Sequence, residues 1–256
     1  MPEGDTIHLL AQRLARALVG KEVRSASAHT LDAASLVGRT IASVESRGKN
    51  LLVRFDDGRT LHVHLRMLGR LGVQRGPVRG SPQIRIDVDG ATIVGRRIPV
   101  LRLLSPDGER RSPDLARLGP DLLASDFDET EALRRLRALG ARPIGDALIV
   151  QSAVAGIGNI YKSEVLFLER VDPRTRVRDL DDATLLALLR RARTLLAINA
   201  KRGGPRRTRS SLAGPSLWVY DRTGKRCLVC GAAVARITQG SPGAPRSTYY
   251  CQACQR

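Results

Sequence analysis

The chain has 256 residues, 42% of them hydrophobic, enough to fill the core of one large or two ordinary domains and too many for a disordered tail. Forty-three Lys and Arg stand against 25 Asp and Glu, a formal charge of +18 that points to a polyanionic partner, nucleic acid first. No stretch reaches the ~20 apolar residues that span a bilayer, and the N-terminus lacks the basic-then-apolar order of a secretion signal, so a soluble cytoplasmic protein without a membrane partner is expected.

Behind Met1 stands Pro2-Glu3-Gly4. Proline is small enough at this position for Met1 to be removed, which leaves a secondary amine able to attack a carbonyl-type carbon, and Glu3 beside it is placed to move protons. Thr6 to Val19 carries Ile7, Leu10, Leu14, Ala17 and Leu18 at helical spacing, with Gly20 as a stop. From Glu22 to about Leu104 short strand-like runs follow, among them Leu51 to Phe55, Thr60 to Leu65, Ile84 to Val88 and Ala91 to Val94. They are separated by Asp-Gly turns and predict an antiparallel sandwich or barrel. Within it, Arg47-Gly48-Lys49-Asn50 reads as a tight basic turn whose Lys49 reaches a phosphate or a departing group. Alternation from Thr60 to Met67 predicts His62, His64 and Arg66 on one face and Val63, Leu65 and Met67 on the other, the second being buried. Met67 at the strand end is alternatively an apolar wedge for a duplex.

Leu118-Gly119-Pro120-Asp121 breaks the strand pattern, and a domain boundary is expected at about residue 120. Helical stretches are then predicted over Asp126 to Leu139, Leu148 to Leu168 and Asp181 to Asn199, the last capped by Asp181 or Asp182 and ending near Gly203-Gly204. Gly156-Ile157-Gly158-Asn159 opens a helix with exposed amides suited to phosphate. Gly158, Asn159 and Lys162 are the candidate DNA contacts there; a plain helix turn capped by Asn159 is the alternative. Residues 201–215, rich in Gly, Pro, Ser and Arg, predict a mobile basic loop. Residues 201–256 hold eleven basic residues and one acid, Asp221. Cys227-x2-Cys230 and Cys251-x2-Cys254 contain all four cysteines. That spacing favours one tetrahedral, structural zinc ion on a β-hairpin that turns at Thr238 to Gly243.

Met-Pro-Glu-Gly at 1–4, Glu45-Ser46-Arg47-Gly48-Lys49, His64-Leu65-Arg66-Met67, Gly156-Ile157-Gly158-Asn159-Ile160-Tyr161 and the four cysteines resemble, in order and spacing, the formamidopyrimidine-DNA glycosylase and endonuclease VIII family. The resemblance spans essentially the whole chain. It implies an α+β, two-domain protein: an N-terminal antiparallel β-sandwich with flanking helices (1–120), then a helix-two-turn-helix bundle (121–212) with a zinc β-hairpin (213–256). It further implies a monomeric bifunctional DNA glycosylase and lyase of base excision repair acting on damaged duplex DNA with a flipped nucleotide. Pro2 is then the Schiff-base nucleophile, Glu3 the proton shuttle and Lys49 an assisting group. Asn159 and Arg246 grip phosphates, and Met67 fills the vacated stack. In formamidopyrimidine-type relatives an Arg-Arg-Phe-Gly run completes the wedge. Here Arg96-Arg97-Ile98-Pro99 lacks the aromatic, which favours the endonuclease VIII branch, oxidised pyrimidines and β,δ-elimination over an 8-oxoguanine-type enzyme. Many relatives carry a second carboxylate a few residues after the terminus; with Asp5-Thr6 here its role either passes to Asp5 or is absent, and Val150-Gln151 stands where relatives have an Asp-Gln pair. A rival reading, a non-catalytic zinc-dependent lesion sensor, needs only the charge and the cysteines.

Overall fold

A computed structural model describes residues 2–211, 213–240 and 243–256; Met1 and two residues of the expected hairpin turn, Ser241 and Pro242, lie outside them. In chain order the elements are α1 (Gly4–Leu18), β1 (Val23–Ala28), β2 (Ile41–Arg47), β3 (Asn50–Phe55), β4 (Thr60–His64), β5 (Arg70–Gln74), β6 (Ile84–Val88), β7 (Ala91–Arg96), β8 (Val100–Leu104), α2 (Gly108–Arg111), α3 (Pro113–Ala116), α4 (Glu129–Arg137), α5 (Ile144–Ala147), α6 (Asn159–Leu168), α7 (Asp182–Arg202), β9 (Ala235–Gln239) and β10 (Arg246–Tyr250). They divide into two compact units, Met1–Arg117 and Leu118–Arg256.

The first unit contains two four-stranded antiparallel sheets, ordered β1-β6-β7-β5 and β2-β3-β4-β8. Their apolar faces meet in one core that takes Ile84, Ile86 and Ile93 from the first sheet and Leu51, Val53, Leu61 and Val63 from the second. Helix α1 adds Ile7, Ala11, Leu14 and Leu18, one stripe at the 3.6 period, and each fully buried leucine contributes about 1.5–3 kcal/mol. The second sheet is two-faced. Register pairs Glu45 with Leu52, Arg47 with Asn50 and His62 with Arg102, so these residues share the face turned away from that core. There Arg54 pairs with Glu45 and Glu109 at 2.5 and 2.8 Å, and Thr60 donates to Glu109 at 3.0 Å.

In the second unit α4, α6 and α7 enclose a core that includes Leu136, Tyr161, Val165, Leu188 and Leu196. Asp128 and Asp181 cap α4 and α7 by accepting from Glu131 N and Thr184 N at 2.9 and 2.7 Å, which explains acids that would otherwise suggest a metal cluster. Helix α7 stops at Gly203, whose φ of 65° no β-carbon favours. The helical stretch expected over Leu148 to Leu168 is in fact α6 alone. Residues 148–158 are turns, because Gly156 takes a φ of 109° and interrupts the helical path.

The loop after α7, expected to be mobile, is tied to its own unit at several described residues. Asn199 Oδ1 accepts from Arg207 N at 2.9 Å and its Nδ2 donates to Arg207 O at 3.0 Å; Thr208 donates to Glu164; the Arg206 and Arg209 guanidinium groups lie 5.8 and 5.1 Å from the Tyr161 and Trp218 ring centres. Composition alone hid these contacts, since those to Glu164 and Tyr161 join residues more than 40 apart in sequence.

Candidate nucleic-acid site

In the first unit the chemistry-bearing residues sit on ends of elements. Glu3 is the N-cap of α1, extended at φ −121° and ψ −174°, and its carbonyl accepts from Thr6 N and Ile7 N at 3.1 and 3.2 Å. The residue is wholly buried, beside half-buried Pro2 and at the N-terminal end of α1. Asp5 is buried as well, and Thr6 donates to it at 3.2 Å. His8 Nδ1 lies 3.0 Å from Ser46 Oγ, which ties the start of α1 to the end of β2.

That end of β2 leads into a two-residue hairpin. Arg47 pairs with Asn50 across Gly48-Lys49, and Gly48 has a φ of 58°, the pattern of a type II′ turn with glycine first. Lys49 therefore stands on a short, strongly twisted turn rather than a loose loop. His64, at the matching end of β4, has its pKa lowered to about 4, first by burial and then by the charges of Lys49 and Arg66. Its Nδ1 accepts from Arg66 N at 3.1 Å, so the neutral ring carries its proton on Nε2.

The alternation expected from Thr60 to Met67 holds as far as Leu65, with Val63 and Leu65 in the core and His62 on the opposite face, and fails beyond it. His62 is fully buried rather than on an open face, and β4 stops at His64. Arg66 takes a left-handed φ of 45°, Gly69 N bonds back to Leu65 O at 2.9 Å, and Met67 and Leu68 project, 61% and 65% exposed. The turn, not the strand period, decides where Met67 points. Ile98, in the segment that lacks the aromatic, is 3% exposed and belongs to the core.

In the second unit Gly158 is the N-cap of α6 and Asn159 its first residue, so Asn159 is not the cap. Asn159 Nδ2 donates to Ser247 O at 2.7 Å, next to Arg246 on β10; its buried Oδ1 has no hydrogen-bond partner among the described residues. Lys162 is wholly buried, its Nζ 3.4 Å from the same carbonyl. Arg246 is exposed at the start of β10. Gln151 builds the glycine turn: Oε1 accepts from Gly156 N at 3.2 Å, and Nε2 donates to Ile149 O and Ile157 O at 2.9 and 3.0 Å.

Two further groups were invisible in sequence because their partners lie far along the chain. Glu164 is buried and accepts from the backbone N–H groups of Trp218, Val219 and Tyr220 at 2.7, 2.8 and 2.8 Å, anchoring the approach to the cysteine hairpin. Gln239 accepts from Thr248 at 2.6 Å and donates to Pro173 O at 2.9 Å, which seats the hairpin on the helices. The four cysteine sulfurs lie within 4.8 Å of one another, Cys227 to Cys254 at 3.9 Å and Cys230 to Cys251 at 3.4 Å. Metal–sulfur bonds of ~2.3 Å in a tetrahedron set sulfurs ~3.8 Å apart, so the cluster fits a metal ion with no open position.

Residues 1–95 match the family described as formamidopyrimidine-DNA glycosylase N-terminal domain, and 118–209 that described as formamidopyrimidine-DNA glycosylase H2TH domain. The chain is 42% identical to a probable endonuclease 8 2 of Streptomyces coelicolor over 100% of its own length and 94% of that protein. It is 35% identical to a DNA-(apurinic or apyrimidinic site) lyase Nei2 of Mycolicibacterium smegmatis, covering 100% and 99%. Among solved structures it resembles MutM in complex with DNA containing carbocyclic 8-oxo-G, with a TM-score of 0.84, 26% identity and full coverage of both chains. MutM (Fpg) of Thermus thermophilus follows at 0.82, 30% identity, 99% and 98% coverage.

Proposed function

We propose that this chain, which belongs to the formamidopyrimidine-DNA glycosylase and endonuclease 8 family, works through an N-terminal imine on damaged DNA. It is a DNA glycosylase and AP lyase of base excision repair. The observation that carries the residue-level reading is the seat of Glu3, a buried carboxylate at the N-terminal end of α1 adjoining Pro2.

With Met1 removed, the Pro2 nitrogen attacks C1′ of an extruded nucleotide, the base leaves with a proton, and Glu3 and Lys49 carry protons to and from the sugar. The resulting iminium acidifies C2′; loss of that proton expels the 3′ phosphate, and a second elimination expels the 5′ phosphate. Met67 occupies the vacated stack. Asn159, the Gly158 turn and Arg246 hold flanking phosphates, with buried Lys162 acting through Ser247 of the Arg246 strand. Zinc suits the four cysteines: it supplies cross-linking of the hairpin, not chemistry. We read residues 118–209 as the helix-two-turn-helix part, the hairpin beyond as the zinc finger, and the enzyme as a monomer at the bacterial nucleoid. Burial of Ile98 supports the endonuclease 8 branch and oxidised pyrimidines over the 8-oxoguanine type, since no second wedge is offered there.

Borohydride added during incubation with a duplex bearing one oxidised pyrimidine should trap a covalent adduct at the N-terminal residue. Binding without an adduct, from protein lacking Met1, would leave only the lesion sensor. Glu3→Gln should slow base removal and spare cleavage at ready-made abasic sites; equal loss of both would refute that division of labour.

A further inference from the structure

We infer that His62 is a positioning residue for Lys49, acting through Asn50. The sheet register creates the arrangement: Leu52 pairs with His62, so Asn50, two residues along β3, lies diagonally across on the same face. His62 Nε2 stands 2.8 Å from Asn50 Oδ1, and Asn50 Nδ2 donates to Arg47 O at 3.2 Å. The second bond fixes which way the amide points, so Asn50 offers its oxygen to the ring and the proton of His62 sits on Nε2. Both residues are buried, at 0% and 4% exposure, and the other ring nitrogen, Nδ1, has no hydrogen-bond partner among the described residues.

The ring's hydrogen bond therefore runs in one direction, to the amide that closes the base of the Gly48-Lys49 turn. An apolar pair would fill these diagonal positions without burying polar atoms, but it would leave the Arg47 carbonyl and the entry to the turn unheld from the side. Burial holds the His62 pKa below its usual value, so the brace brings no further positive charge beside Arg102. A two-residue hairpin without it retains the ladder yet lets the turn rock about its last pair, Arg47 and Asn50.

The kinetic part of the test rests on the glycosylase reading; the spectroscopic part does not. In single-turnover base excision His62→Leu should lower the rate about tenfold with DNA affinity unchanged, since a small misplacement of an assisting group acts on the chemical step. His62→Gln, which restores an amide donor near the Nε2 position, should recover most of that loss, and Asn50→Ala should reproduce the effect of His62→Leu. In a Lys49→Ala background His62→Leu should have no further effect. The chain has five lysines, so reductive 13C-methylation gives a countable NMR spectrum in which the Lys49 signal is assigned with Lys49→Arg. That signal should shift in His62→Leu and return in His62→Gln. Unchanged rate and unchanged signal in a folded His62→Leu protein would overturn the inference, as would an equal rate loss with and without Lys49. Should His62→Leu not fold, an Asn50→Ala protein with native rate and native Lys49 signal overturns it equally. If the wild type proves inactive while the Lys49 signal still follows His62, the brace stands and the proposed reaction falls.

Discussion

The Lys49 turn and the Asn159 turn both use glycine to present one polar side chain, but they are secured over different reaches of chain. Around Lys49 the support comes from side chains, Asn50 and His62, on a sheet whose register aligns them. Around Asn159 it comes in part from far along the chain: the Gln151 side chain bonds main-chain groups of the turn, and Asn159 itself reaches the carbonyl of Ser247 on a hairpin 88 residues away. On the proposed reading the first design gives a local, self-contained seat for proton transfer. The second would make the proposed phosphate binding depend on the cysteine hairpin being folded.

If chemistry and binding are divided in this way, perturbations should separate them. Pro2→Leu, which removes the secondary amine and keeps Met1, should reduce base removal and strand cleavage by at least ~10^3-fold while DNA affinity changes less than about threefold. A comparable fall in affinity, measured by fluorescence anisotropy, would merge the two roles. Cys254→Ser should weaken DNA binding by ~10–100-fold, and hydrogen exchange should show loss of protection confined to the second unit; loss throughout β2–β4 would contradict a local seat for Lys49. Asn159→Ala removes one phosphate donor and its bond to Ser247, an expected cost of about 1–3 kcal/mol in binding, read from the same titration. The smallest effect concerns stability. His64 has a folded pKa of about 4, below its unfolded value near 6.5, so the unfolded chain binds the extra proton and stability falls as pH drops from about 6.5 to 4. A melting-temperature series should show this slope, and His64→Gln should flatten it.

The sequence made one of these turns more legible than the other. Arg47-Gly48-Lys49-Asn50 declared its own hairpin, because a two-residue loop is a local decision. The cysteine pairs and the capped starts of α4 and α7 were local in the same sense. What escaped was contact between distant residues: Glu164 with Trp218 to Tyr220, and Gln239 with Pro173. His62 escaped for another reason. Period-two alternation assumes one wet face, whereas the polar face of the second sheet is covered at that point, so a histidine there is buried among bonded partners.

The tied loop and hairpin of the second unit have a further consequence. Arg207 donates to Ser211 O, Arg209 to Pro215 O, and Arg222 to Trp218 O and Arg226 O, all backbone carbonyls rather than carboxylates. A carbonyl immobilises a guanidinium without cancelling its charge. On the proposed reading, half-buried Arg207 and Arg209 meet an incoming polyanion with fewer rotamers left to lose yet at full electrical strength, so part of the entropic toll of docking is settled when the chain folds, while buried Arg222 serves the fold.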